Sequence, residues 1–213
     1  MTTHKLTIAF EAPLHHGSGF GISGLIDRAI LRDTAGFPYL AGSAIKGKLR
    51  HAALRVLLSR DEPACHTADA KAICAGSKPC RLCLLFGSPR RQGAAIFGDA
   101  GIAGHHEGLM GALATLPHPA GIFRDSMVRA RTAIDRKMGT ARPGLLFSTE
   151  VLPGSLVFES AIHLNADDAN REASLKLLRE ACRVVTHFGA DGARGLGRCS
   201  LSLGTPAENE AAH

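Results

Sequence analysis

Gly42-Ser43-Ala44-Ile45-Lys46-Gly47-Lys48-Leu49-Arg50 is where the chain changes its apolar period. Ile45, Leu49, Ala53, Val56 and Leu57 fall three or four residues apart and run to about Arg60, which predicts a helix buried on one side. Ser43 stands where an N-cap belongs, because its hydroxyl accepts from the unpaired N–H groups of a first turn. Upstream, Lys5 to Glu11 puts Leu6, Ile8 and Phe10 on alternate positions, the pattern of a half-buried strand. Between them lie a glycine-rich run, His15 to Gly21, and an extended segment, Leu25 to Arg32, closed by the turn residues Asp33 to Pro38.

Downstream, Ala94 to Asp99 reads as a short strand, and Leu156, Phe158, Ile162 and Leu164 mark another. Asp167 to His187 predicts a second helix with Leu175, Leu178, Cys182 and Val185 buried and Gly189 as its stop. Arg198 to Leu203 closes the series as a strand. The order strand, helix, strand, strand, helix, strand is the α+β, βαββαβ order of a ferredoxin-like or RNA-recognition fold. A single domain over residues 1–213 is expected, with a cysteine-rich insertion at about 61–92, a hairpin excursion at about 121–150 and a flexible tail over 206–213. That topology serves many unrelated activities, so function has to be read from side chains.

With 213 residues, 45% hydrophobic and 21% charged, the chain is long enough for a real core and is neither disordered nor a disulfide-stapled miniprotein. No window approaches eighteen apolar residues, and MTTHKLTIAFEAP breaks its apolar stretch with polar residues, so a soluble, unexported protein without a membrane partner is expected. The net charge is +6 and the pI about 9.2, which suits a polyanionic partner. The charge is local: Ala41 to Arg60 carries five basic residues and no acidic one, and Arg124 to Arg142 carries six basic and two acidic. Aromatics make up 5%, so a nucleic acid would be held by its backbone rather than on rows of stacked bases.

Four of the six cysteines, Cys65, Cys74, Cys80 and Cys83, fall within nineteen residues. Cys80-Arg81-Leu82-Cys83 supplies two ligands from one turn, Cys74 a third, and either Cys65 or His66 the fourth, which points to a closed structural zinc site. Free loop thiols are the bland alternative. The start of the first helix, Gly42 and Ser43 with Lys46 and Arg50 on one face, is a phosphate cradle or else a solvated basic face. Gly47 in its second turn suggests a close approach to the backbone. Gly189, Gly192, Gly195 and Gly197 likewise permit a tight turn or a ligand against the main chain.

Together these pieces resemble the repeat-associated mysterious proteins (RAMPs) of CRISPR systems, and within them the backbone subunit of type III effector complexes. The residues that carry the resemblance are Ile26 to Asp33, Phe37 to Arg50, Cys80-Arg81-Leu82-Cys83-Leu84-Leu85-Phe86-Gly87, Arg131 to Arg136 before Gly139-Thr140-Ala141, and Arg194-Gly195-Leu196-Gly197-Arg198.

The resemblance implies a subunit that binds guide RNA without sequence preference, stacks with copies of itself and other effector subunits into a filament, and cuts single-stranded target RNA. The activity implied is a metal-dependent endoribonuclease with Mg²⁺ or Mn²⁺, with Asp27 in the catalytic position, in a prokaryotic cytoplasm. Arg28 and Ala29 follow Asp27 where the commonest form of the motif has a small residue and Pro. The excursion corresponds to a thumb that kinks the guide–target duplex. Guide contacts are expected from Gly42, Ser43, Lys46, Lys48 and Arg50, from Arg129, Arg131 and Arg136, and from Arg194 and Arg198. Asp27 also reads as an ion-pair partner of Arg28 or Arg32. A non-catalytic guide-binding subunit and a histidine-dependent processor of precursor guide RNA are the alternatives, the latter placing weight on His15 and His16. A zinc protein that binds no nucleic acid is the remaining reading.

Overall fold

The main sheet, in the computed structural model of the chain, is built on β1 (Thr2–Phe10) and β6 (Val157–Leu164), which pair antiparallel along nearly their whole length. Residues 1–65, 74, 79–104, 108 and 125–206 are described. β7 (Cys199–Pro206) pairs with the other side of β1, and β2 (Ala95–Phe97) and β3 (Gly101–Ile102) share the outer edge of β6. The order β2-β6-β1-β7, antiparallel throughout, is that of the split βαβ fold expected from the sequence.

One face of the sheet is apolar because Leu6, Ile8 and Phe10 alternate inward on β1, as do Phe158, Ile162 and Leu164 on β6. Helices α1 (Gly42–Leu58) and α3 (Asp168–Val184) cover it with Ile45, Leu49, Ala53, Leu177, Leu178 and Ala181, all with almost no exposed surface. Phe10 and Phe158 meet edge to face at 5.7 Å. The opposite face carries Thr3, Lys5, Thr7, Glu159 and His163 and no Phe, Tyr or Trp, so bases have no stacking platform there. Among the described residues no helix is long and apolar enough to cross a membrane.

Two local expectations give way to tertiary structure. Ser43 is not the cap of α1: the helix starts at Gly42, and its N–H donates to Asp99 Oδ1 at 2.6 Å. Gly98-Asp99-Ala100 interrupts the edge between β2 and β3, and this break swings the Asp99 carboxylate over the helix N-terminus, where its charge is favoured. Gly42 has to be glycine, since a Cβ would strike the Phe97 carbonyl. Helix α3 ends at Val184, before Gly189, because Val185 turns extended and residues 186–188 pair with Gly197–Cys199. The cysteine-rich insertion also reaches the core: α2 (Arg81–Phe86) buries Leu82, Leu85 and Phe86 there, and Phe86 stacks on Phe97.

The excursion is a separate two-stranded sheet, β4 (Met127–Ile134) and β5 (Ala141–Val151), in register from Met127↔Val151 to Thr132↔Leu146 and shifted by an irregularity before Ile134↔Ala141. Its strands are mostly exposed except at the base, where Thr149, Glu150 and Val151 are buried. Residues 121–124 of the expected excursion, and 207–213 of the expected tail, lie outside the described residues, and Pro206 still belongs to β7.

Candidate functional site

The extended segment carrying Asp27 crosses the base of the hairpin. Asp27 and Arg28 both donate their N–H to the Ser148 carbonyl, and Glu150 N–H donates to the Arg28 carbonyl, which lays the segment beside β5. Ile26 turns into the core, so Asp27 turns out to solvent. Its Oδ2 accepts from Ser148 N–H at 2.6 Å and from the Ser148 hydroxyl at 2.9 Å. These two bonds stabilise the ionised form and hold the Asp27 carboxyl below the usual carboxylate range. Asp27 forms no ion pair with either neighbouring arginine, since Arg28 and Arg32 are each committed to other carboxylates.

Asp27 lines a cleft of about 590 Å³ with Arg28, Arg131, Phe147, Thr149 and Arg194. The three guanidinium groups come from the extended segment, from β4 and from the short 3₁₀ turn Gly192–Arg194. All three converge on Asp191, at 3.1 Å from Arg28, 2.7 Å from Arg131 and 3.0 Å from Arg194. Burial alone would raise the Asp191 carboxyl, but Arg131 and Arg28 outweigh it and hold it low. Gly197 allows this loop to turn back: its φ is +72°, and a Cβ there would run into the Phe188 carbonyl.

Arg32, read in the sequence as a possible partner of Asp27, is instead buried and bound to other carboxylates. Its guanidinium donates to Asp125 at 2.7 and 2.8 Å, to Glu150 at 2.9 Å and to the Gly36 carbonyl at 2.9 Å. Glu150 also accepts from Ile30 N–H and from the Ser126 hydroxyl. Both ends of the hairpin base are thus tied to the segment that holds Asp27.

The two histidines of the glycine-rich run are both bonded within the fold. His15 is buried, and its Nδ1–H donates to the Glu150 carbonyl at 2.7 Å. His16 accepts the Ala41 N–H on Nε2 at 3.2 Å and packs its ring on Phe188. Burial lowers the pKa of both and so favours their neutral form.

The basic residues at the start of α1 fall into three grooves. Lys46 and Arg50 line one of about 610 Å³ together with Arg90 and Arg91, two residues missed in the sequence because they sit in a short loop rather than on a helix face. Arg50 is partly committed there, donating to the Gly87 carbonyl at 2.8 Å. Ser43 and Lys46 line a smaller groove beside it, in which the Gly42 N–H is already taken by Asp99. Lys48 lies on the other side with His16, His51 and Phe188, around an open Gly47: no atom lies within 4 Å of where a Cβ would stand, so nothing within the described chain explains that glycine. Arg129 and Arg136 are exposed on the hairpin, and Arg198 pairs with Glu11 on the surface.

At the opposite end of α2 the Sγ atoms of Cys65, Cys74, Cys80 and Cys83 all lie within 4.8 Å of one another, a set that can hold a metal ion such as zinc. His66 lies outside the described residues. Burial disfavours the Cys80 thiolate, but N–H groups of Cys83 and Cys65 and the neighbouring thiols outweigh it and bring Cys80 to about 7. Burial pushes Cys83 up to about 12.

Residues 7–200 match the model of the RAMP superfamily. Two cryo-EM structures of the Type III-B Cmr-beta have the same fold. One is bound to cognate target RNA (TM-score 0.69) and one is in the apo state (0.63). Each is 15% identical, over 95% of this chain and 97% of the chain it matches. No curated protein sequence matches. A family model that covers almost the whole chain, on a split βαβ sheet with a cysteine cluster and a basic hairpin, places the protein in the RAMP superfamily.

Proposed function

We propose that the chain is the backbone subunit of a type III CRISPR RNA-guided effector complex, which binds guide RNA without sequence preference and cuts complementary target RNA at Asp27 with a divalent metal. The observation that carries this reading is the setting of Asp27: an exposed carboxylate, held by Ser148, unpaired with any cation, in a cleft shared with three arginines. The likeness to Cmr-beta bound to target RNA supports RNA and other effector subunits as partners.

Cleavage then runs through the RNA's own 2′-hydroxyl. The 2′-oxygen attacks phosphorus and loses its proton, the P–O5′ bond breaks, and the 5′-oxygen takes up a proton, leaving a 2′,3′-cyclic phosphate and a 5′-hydroxyl. A carboxyl held below its usual range is a weak base and a good ligand for a hard cation. Asp27 fits Mg²⁺ or Mn²⁺ on chemistry, since such ions are commonly held by one or two carboxylates plus substrate phosphate. When bound, the ion supplies charge neutralisation at the phosphate. His15 and His16, buried or already bonded, speak against the histidine-dependent processor.

Guide RNA is assigned to the Lys46, Arg50, Arg90 and Arg91 groove, where contacts to phosphate carry no sequence information. Zinc is assigned to the four cysteines, as the clasp of the insertion rather than a participant in cutting. The test is an assembled complex given complementary RNA and Mg²⁺: Asp27→Ala should bind target as tightly as the native complex and cease to cut. Cutting at the native rate would overturn the reading.

A further inference from the structure

Among the described residues Asp191 is the only carboxylate that faces three guanidinium groups. Its backbone is left-handed, with φ +60°, a conformation a non-glycine residue rarely adopts, and this bend aims its side chain inward. The three arginines are 28, 131 and 194, brought together only by the fold. Each gives one terminal nitrogen to Asp191, and a guanidinium has five N–H donors, so most of its donor capacity remains for the cleft they line. Three positive charges against one negative leave an excess of two beside Asp27. Without a counter-ion, three guanidiniums this close repel one another and spread apart.

We propose that Arg28, Arg131 and Arg194, gathered by Asp191, clamp the non-bridging oxygens of the target phosphodiester presented to Asp27, and that Asp191 is the positioning residue that keeps the clamp assembled before RNA arrives. This rests on the assignment of target cleavage to the Asp27 cleft and names the substrate contact within it. The guanidinium fork matches a phosphate bidentately, and attack by the 2′-oxygen puts further negative charge on those same oxygens. Arg28 follows Asp27 directly, so the residue that departs from the commonest form of the family motif becomes part of the clamp. The hairpin contributes Arg131, so the clamp closes only when the hairpin is seated.

The test uses assembled complexes and a target with 2′-deoxy sugars, which cannot be cut by this route. A neutral methylphosphonate is placed at each linkage in turn. In the native complex one linkage per subunit should show weakened binding, by about tenfold. That loss should vanish in Arg131→Ala/Arg194→Ala and shrink in Asp191→Asn, whereas Asp27→Ala should retain it in full. Arg131→Lys, which keeps the charge and loses the fork, should recover it only in part, and thermal unfolding reports whether each variant is folded. An equal loss in native and clamp variants, or no sensitive linkage at all, overturns the clamp. A separate cleavage series with ordinary RNA tests Asp27: if Asp27→Ala cuts normally while the methylphosphonate loss still depends on the arginines, the catalytic reading falls and the clamp stands.

Discussion

Replacing Arg32 with Met is the most severe single test of how this fold holds its site. Arg32 is 9% exposed at its side chain, and its partners Asp125 and Glu150 are 3% and 1% exposed. Met retains most of the stem packing but removes four hydrogen bonds and leaves two carboxylates buried without their cation. Removing one partner of a buried charge network costs about 3–5 kcal/mol. At about 2–4 °C per kcal/mol for a chain of this size, the melting temperature should fall by roughly 6–20 °C. The assay is thermal and urea unfolding of the native chain, Arg32→Met, Asp125→Asn and the double variant. Because Asp125→Asn removes one of the stranded charges, the double variant should be less destabilised than the sum of the singles, by about 1–3 kcal/mol. A loss under about 1 kcal/mol for Arg32→Met, or strict additivity, would refute the reasoning.

Ser148→Ala removes one of the two bonds that hold the Asp27 carboxyl low, so the acidic limb of the cleavage–pH curve should move to higher pH while the rate above neutrality changes little. The direction follows from the linkage: stabilisation of an anion with a depressed pKa is present above the unfolded value and lost as pH falls through the folded one. Ser148→Thr should restore the native limb, and an unmoved limb in the Ala variant rejects the arrangement. Lys46→Ala with Arg91→Ala should weaken every guide alike and reduce the salt slope by about 1–2 units; a loss confined to some guide sequences would signal base readout instead. Metal analysis should find about one zinc per chain, and Cys80→Ser/Cys83→Ser should lower thermal stability, because α2 carries core residues along with its ligands. Fully folded protein in reducing buffer with no bound metal rejects the zinc site.

The elements packed on a single apolar face were legible from period alone, as Leu6, Ile8 and Phe10 on β1 and Ile45 and Leu49 on α1 show. The cysteine cluster was legible because ligand spacing is itself a geometric constraint. What stayed hidden is what joins distant segments. Asp99 displaces Ser43 as the capping group from 57 positions away, and nothing local in the sequence announces it. Arg32 meets partners 93 and 118 residues downstream, so the sequence could offer it only the nearby Asp27 as a partner. Asp191 lay inside a run noticed for its glycines, and its role depends on three arginines that no periodicity connects. The basic helix was read correctly as basic, but Arg50 bends to the Gly87 carbonyl while Arg90 and Arg91, in an irregular loop, share its groove.

The hairpin has a mechanical consequence. It is fastened at its root through Arg32 and Ser148 and once higher up through Arg131, while from Thr132 through Phe147 its strands and turn project with little buried side. Such an arm is a lever about 15 Å long, taking a rise of about 3.3 Å per residue, with its fulcrum at the Arg131–Asp191 contact. A sideways load at its far end is delivered, shortened and strengthened, to the opposite side of that fulcrum, where Ser148 grips the Asp27 carboxylate. Whatever leans on Ile134 or Met138 therefore applies torque to the Asp27 carboxylate, and a stiffer or shorter arm would change the gearing without touching a single group in the cleft.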